Sequence, residues 1–401
     1  MARRRAAEKD GERRSALAAV SDRFKKFRPA SQVLSLVRAV PTRFPQFDHA
    51  TRVGGLPVER FMLLHGPSNE GKSMFALGLC DSFLARDHFA LYIDAERTTP
   101  GDWVESLLGT NARHPGFFGI RPDSYEETIA QVRDFLNTVR ELREGKKVPS
   151  ETGAIVVVDS LRKLVPKGLL DEILRYERES GEDRRGRTRK GSKLPTAGND
   201  RGAQLKAKMN AAWMDEVVPL LEHARAGMVA IAREMVDPDA DAMSRRFGTD
   251  YKVGGGGAIY YDSSLAMRVE RARWVTKGEG EEERKEVYGE RHRVTIKKTK
   301  VGNKEGRVTT CFFHSSNGRL IRPGFDLARD LIELGERFDV VKRKGAWLQW
   351  EGRRWQGVNT AVEKLTADPQ VLAALDRRVR AQFERQPAAE HTADGEVLEE
   401  R

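Results

Sequence analysis

The chain has 401 residues, 39% of them hydrophobic and 33% charged, with a formal net charge of +11. That length accommodates a large core plus one or two smaller domains, and that charge favours a polyanionic partner, nucleic acid first. A membrane span is excluded by apolar runs far short of the about 20 residues one needs, and a secretory leader by the basic start MARRRAAEKDGERR, which no apolar stretch follows.

Cys80 and Cys311 match no metal spacing, so a reduced, cytoplasmic protein is expected. Residues 1–14 read as a basic arm, and SALAAVSDRFKKF behind it repeats apolar residues at helical spacing until Pro29 closes it. From about 53 to 232, strand-like runs alternate with helical stretches. ERFMLLHG leads into KSMFALGLCDSFLA, and FALYIDAE into a helix around DWVESLLG. SYEETIAQVRDFLNTVREL reads as a long amphipathic helix before the run GAIVVVDS, and AQLKAKMNAAWMDEVVPLLEHA precedes GMVAIA. This alternation predicts an α/β fold with a mostly parallel central sheet and helices on both faces. Ligands of such sheets sit outside the carboxyl ends of the strands.

Two polar segments, 176–202 and 234–257, interrupt the alternation, and loops that long inside a compact domain are usually functional or disordered. Basic residues concentrate in RRGRTRKGSK (184–193) and RHRVTIKKTK (291–300). The runs AIYYDSSLAMRVER, HRVTIKKTK and RVTTCFFH read as strands. From about 323 the texture turns helical, with an aromatic patch GAWLQWEGRRWQG, and the end AAEHTADGEVLEER leans acidic.

The segment Gly66-Pro67-Ser68-Asn69-Glu70-Gly71-Lys72-Ser73 is a full G-x-x-x-x-G-K-[ST] match between a predicted strand and a predicted helix. Its glycines let backbone N–H groups turn around phosphate oxygens, and the helix N-terminus adds its dipole. Lys72 is then expected to neutralise the β- and γ-phosphates of ATP, and the Ser73 hydroxyl to ligate Mg²⁺. Asp159, ending the strand AIVVVD, is the candidate second carboxylate for the metal. Hydrolysis needs a base to orient water, and Glu96 and Asp94 in LYIDAE both qualify on spacing.

From about residue 15 to about 382 the chain resembles the bacterial RecA family of DNA strand-exchange recombinases. VGGLPVERFMLLHGPSNEGKS is similar to the family's approach to its phosphate loop, YIDAE and IVVVDS to the next two nucleotide motifs, and ALAAVSDRFKKF to its N-terminal polymerisation helix. KGAWLQWEGRRWQGVNTAVEKLTADPQ resembles the start of its C-terminal domain. The resemblance implies a basic arm and oligomerisation helix over 1–45 and a RecA-like ATPase core over 46–322. A small α+β C-terminal domain over 323–385 and a disordered, acidic-leaning tail over 386–401 complete the expected layout.

The same resemblance implies site roles. Glu96 is the catalytic base, and Trp103 stands where a tyrosine stacks on adenine. Lys298 and Lys300 match paired lysines that reach the nucleotide of the adjacent protomer and act there as arginine-finger equivalents. Tyr261 falls where an aromatic residue packs into the neighbouring subunit. Two DNA-binding loops are expected at about 166–203 and 234–257. Arg184, Arg185, Arg187, Arg189, Lys190 and Lys193 would supply phosphate contacts from the first, and Arg245, Arg246 and Lys252 from the second.

Three departures from the family pattern point to a divergent member, phage-borne or a specialised paralogue. The first loop is longer and more basic. Ala232 and Arg233 replace an Asn-Gln pair whose glutamine senses the γ-phosphate, a contact an arginine can also make with different geometry. Pro100 replaces an aspartate near the adenine. The expected function is ATP-dependent recombination by helical filaments on single-stranded DNA, with homologous double-stranded DNA as the second partner and no membrane. Rival expectations are a ring-forming helicase on the same core and a DNA-coating filament protein with little ATP turnover.

Overall fold

In the computed structural model, which describes residues 37–172, 200–237, 239–241, 243, 251–254, 257–277, 286–301, 308–315 and 324–383, the apolar runs become strands of one broad sheet. The chain divides into residues 1–37 and a second unit from Arg38 onward. The expected N-terminal helix and the acidic tail lie outside the described residues, as do Arg184, Arg185, Arg187, Arg189, Lys190, Lys193, Arg245 and Arg246.

Strand β1 (Ala39–Val40) pairs antiparallel with β2 (Leu56–Pro57), and helix α1 (Pro45–Ala50) lies between them in sequence. The central elements follow as β3 (Arg60–Gly66), α2 (Lys72–Leu84), β4 (Phe89–Asp94), α3 (Gly101–Leu108), β5 (Phe117–Ile120), α4 (Tyr125–Glu144) and β6 (Ala154–Asp159). Then come α5 (Asp200–Ala224), β7 (Ala226–Val236), β8 (Tyr251–Val253), α6 (Gly257–Asp262), β9 (Leu265–Lys277), β10 (Glu286–Thr299), β11 (Val308–Ser315) and β12 (Gly324–Phe325). In space the order is β12-β11-β10-β9-β3-β7-β6-β4-β5, with β8 antiparallel on the end of β7. The pairs from β9 through β3, β7, β6 and β4 to β5 are parallel, and those from β9 to β12 antiparallel.

Period-two alternation explains why the central strands are apolar throughout. On β3, Met62 and Leu64 face one layer while Phe61 and Leu63 face the other; on β6, Ile155 and Val157 oppose Ala154, Val156 and Val158. The first layer holds α2, buried from Met74 to Leu84, and Phe44, whose ring lies 4.8 Å from that of Phe75. The second holds α4 and α5, joined by the Tyr125 hydroxyl donating to Asn210 Oδ1 at 2.5 Å and by an edge contact between Tyr125 and Trp213.

Beyond the sheet, α7 (Leu327–Arg337), α8 (Val358–Ala367) and α9 (Pro369–Arg380) enclose a separate apolar cluster with β13 (Lys342–Lys344), β14 (Trp347–Trp350) and β15 (Arg353–Gln356). This C-terminal part is tied to the core through Asp48, fully buried, which accepts the Thr42 N–H (2.7 Å), the Thr42 hydroxyl (2.6 Å) and Arg380 Nη1 (2.5 Å). The pairing matters because a buried charge left without its partner costs about 3–5 kcal/mol.

Four local expectations need correction. AIYYDSSLAMRVER is not one strand, because its first residues coil into α6. The carbonyls of Tyr260 and Tyr261 are taken by Lys298 and Lys300, cations that suit a helix C-terminus. The first polar loop ends earlier than 203, since α5 starts at Asp200. The second does not run from 234 to 257 as loop throughout, because Glu234–Val236 pair with Tyr251–Val253. The stretch beyond 323 is not simply helical. Phe325 still belongs to the central sheet, and short Trp- and Arg-rich runs form β13–β15.

Candidate functional site

The parallel strands β3, β4, β6 and β7 deliver their carboxyl ends to one edge of the sheet. Gly66 is level with Arg233, and Asp94 with Asp159. At Gly66 (φ +150°) a Cβ would lie 2.2 Å from the Val269 carbonyl oxygen, so only glycine passes β9 here. Gly71 (φ +88°) caps α2, and a Cβ there would meet Nδ1 of His292 at 2.5 Å. Between these glycines the loop turns back on itself and hands its N–H groups to the start of a helix, the arrangement that binds anions.

A cleft of about 640 Å³ opens at this edge. Ser68, Asn69, Glu70, Gly71, Lys72 and Ser73 line it from the loop, and Glu96, Trp103, Asp159, Ser160 and Arg233 from elsewhere. Its size suits a small organic ligand. Lys72 Nζ donates to the carbonyl of Pro67, so the lysine closes the loop on itself. Burial lowers its ammonium from the ordinary lysine value, against the attraction of Asp159.

Asp159 accepts the Tyr92 hydroxyl at 2.6 Å and a hydrogen bond from the Ser73 side chain. Burial raises its carboxyl above the usual range, those two bonds oppose the rise, and nearby Glu96 and Asp94 add to it. The joined Ser73 hydroxyl and Asp159 carboxylate are hard oxygen donors of the kind Mg²⁺ takes, and the pair fits that ion.

Of the two base candidates, Glu96 is exposed in the cleft and accepts the Ser160 hydroxyl at 2.7 Å. Asp94 is buried and occupied: it accepts Arg121 Nε at 3.0 Å and the N–H groups of Thr98 and Thr99 at 3.2 and 3.3 Å. Arg233 is exposed at the cleft, and its neighbour Glu234 is clamped by His65 Nδ1 (2.8 Å) and Arg268 Nε (2.9 Å). Burial pushes the Glu234 carboxyl up, and these bonds more than offset it, leaving it below the usual range.

Lys298 and Lys300 do not line this cleft. They hold the end of α6, with Nζ to carbonyl distances of 2.6 and 2.7 Å for Lys298 and 2.6 Å for Lys300, beside Tyr261, which is 72% exposed. Burial, then the charge of Lys300, lowers the Lys298 ammonium. Lys252 lies at the exit of the second loop, paired at 2.8 Å with Asp237.

Sequence reasoning missed the charged cleft residues Arg162, Lys163, Arg271, Glu290 and His292 and the polar Thr98 and Ser160. Arg162 and Lys163 follow Ser160 on a short turn and add two cations, and their place behind the aspartate strand was a usable signal. Arg271 and His292 arrive from β9 and β10; only His292 lies in a run singled out beforehand, the basic segment 291–300, and nothing local ties either to the phosphate loop. No helix among the described residues is long and apolar enough to cross a membrane.

Residues 329–384 match the RecA C-terminal domain. Along most of its length the chain is similar to proteins named Protein RecA. The one from Bifidobacterium breve is 24% identical over 387 residues, covering 95% of this chain and 84% of the relative. Those from Kineococcus radiotolerans and Frankia casuarinae are each 25% identical, covering 91% and 89% of this chain and 90% and 87% of the relatives. The domain match and these relatives support kinship with the RecA family, and the mixed, mostly parallel α/β core is RecA-like.

Proposed function

We propose that this chain is an ATP-dependent DNA recombinase that assembles head to tail into a helical filament on single-stranded DNA. In this reading it pairs that strand with homologous double-stranded DNA and exchanges strands. The observation that carries it is the gathering of the loop Gly66–Ser73, Asp159 and Glu96 on one sheet edge, while Lys298 and Lys300 stand outside that cleft beside an exposed Tyr261. With phosphate loop, candidate metal ligands and base gathered in one cleft, and Lys298 and Lys300 outside it, a second copy stacked head to tail would be the one to bring those two lysines to the γ-phosphate.

The loop would bind the α- and β-phosphates of ATP and Lys72 the β and γ, with the base against Trp103. Ser73 and Asp159 would hold Mg²⁺, which neutralises phosphate charge when bound. Glu96 orients the attacking water and takes its proton. Arg233, at the cleft and directly before the hairpin that opens the second polar loop, is suited to report the γ-phosphate to DNA. Lys252, freed from Asp237, would join the phosphate contacts expected of Arg184, Arg185, Arg187, Arg189, Lys190, Lys193, Arg245 and Arg246.

Electron microscopy of the full chain with ATP and single-stranded DNA, beside a strand-exchange assay and DNA-stimulated ATP hydrolysis, tests the proposal. Filaments with strand exchange are expected. Closed rings that unwind forked duplex would replace the reading with a helicase, and filaments without exchange or turnover with a DNA-coating protein.

A further inference from the structure

The phosphate loop is gripped by two strands from the far side of the sequence, whose Arg271, Glu290 and His292 also line the cleft. Arg271 Nη2 donates to the carbonyl of Asn69 at 3.0 Å, and the Arg271 backbone N–H donates to Glu70 Oε2 at 2.5 Å. His292 Nδ1 lies 3.2 Å from the carbonyl oxygen of Glu70, and its ring fills the space a Cβ on Gly71 would need. Glu290 ties the two together, accepting Arg271 Nε at 3.1 Å with its Oε2 also 3.0 Å from His292 Nε2. His292 is completely buried.

In a trans peptide the C=O of one residue and the N–H of the next point in opposite directions. Bonds that fix the carbonyls of Asn69 and Glu70 therefore also fix the N–H groups of Glu70 and Gly71, which belong to the same peptide planes. We propose that Arg271 and His292 are positioning residues that set the phosphate loop in its nucleotide-accepting shape before nucleotide arrives. The inference rests on the nucleotide reading of the cleft. Neither residue needs to touch the γ-phosphate. Because loop N–H groups cradle the phosphates that ADP and ATP share, the brace strengthens both ligands by one factor.

His292 also gives the brace a protonic signature. Nδ1 faces the Glu70 carbonyl and Nε2 lies within ion-pair distance of the Glu290 carboxylate, so the imidazolium suits both neighbours. Burial lowers the His292 ring from its ordinary value and Arg271 adds to that, while Glu290 and the Glu70 carbonyl oppose. The imidazolium thus gains population toward acid.

The test is calorimetric titration of ADP and of ATP into the full chain and into Arg271→Gln and His292→Gln, from about pH 5 to about pH 8. Each variant is expected to weaken ADP and ATP alike, by roughly tenfold, the loss of about one hydrogen bond. The deficit of His292→Gln should shrink as pH rises, because the wild-type ring then loses its charge beside Glu290 while glutamine never had one. Should Arg271→Gln fail to fold, Arg271→Lys keeps the charge without the planar fork and should show a smaller but equal loss for both nucleotides. Wild type that binds neither nucleotide would remove the reading of the cleft itself. Wild type that binds both, with variants that match it, weaken ATP alone, or show no pH-dependent gap for His292, would overturn the brace and leave that reading intact.

Discussion

Glu96→Gln should leave ATP and DNA binding intact while hydrolysis falls by about 10²–10⁴, the usual contribution of a positioned base. The substitution keeps the size of the side chain and an oxygen to accept the Ser160 hydroxyl, so the cleft keeps its shape and loses only a proton acceptor. Asp94→Asn is the informative companion. Asp94 holds Arg121 and the backbone of Thr98 and Thr99, so its loss should lower the unfolding temperature as well as activity. Phosphate release beside calorimetric ATP binding separates the two. If Glu96→Gln loses nucleotide affinity instead, the residue binds and does not act as base.

Replacing Lys298 and Lys300 together by alanine should cost about 10³ or more in DNA-stimulated hydrolysis, within the range of a trans-acting cation on a leaving phosphate. A simple loss would be ambiguous, because both lysines also hold the carbonyls that end α6, next to Tyr261. Mixing resolves it. Glu96→Gln protomers bring intact lysines, and the lysine variant brings an intact base. In an equal mixture about one interface in four pairs both good halves, so activity should return to about that share. No recovery from the mixture would place the lysines' role inside their own protomer.

What was legible in the chain was whatever is written locally. The loop Gly66–Ser73, the strand carrying Asp159 and the helices around them follow from spacing and period, because a strand buried on both faces and a phosphate-binding turn each impose residues on a short window. The resemblance placed Glu96 ahead of Asp94. The structure adds a physical reason, since Asp94 is spoken for by Arg121 and two backbone amides.

What stayed hidden depends on distant partners. AIYYD alternates well enough to pass for a strand, and it coils because lysines 37–39 positions later accept the task of capping it. The brace on the loop comes from residues 201 and 222 positions beyond Glu70, brought alongside only when β9 and β10 fold against β3. Trp347–Trp350 and Arg353–Gln356 are too short and too charged to declare themselves as strands, yet Arg354 lies over the Trp347 ring at 4.2 Å and links the pair across the ladder. Burial and pairing across the fold decided these elements, and no window of sequence contains both halves.

The most direct measurement is the affinity of the full chain for a labelled single-stranded oligonucleotide, followed by fluorescence anisotropy and analytical ultracentrifugation in parallel, with and without a non-hydrolysable ATP analogue and Mg²⁺. The account predicts that nucleotide raises affinity sharply and that the tightly bound species is a multimer whose size grows with oligonucleotide length. Equal affinity in both conditions from a protein that stays monomeric would contradict it.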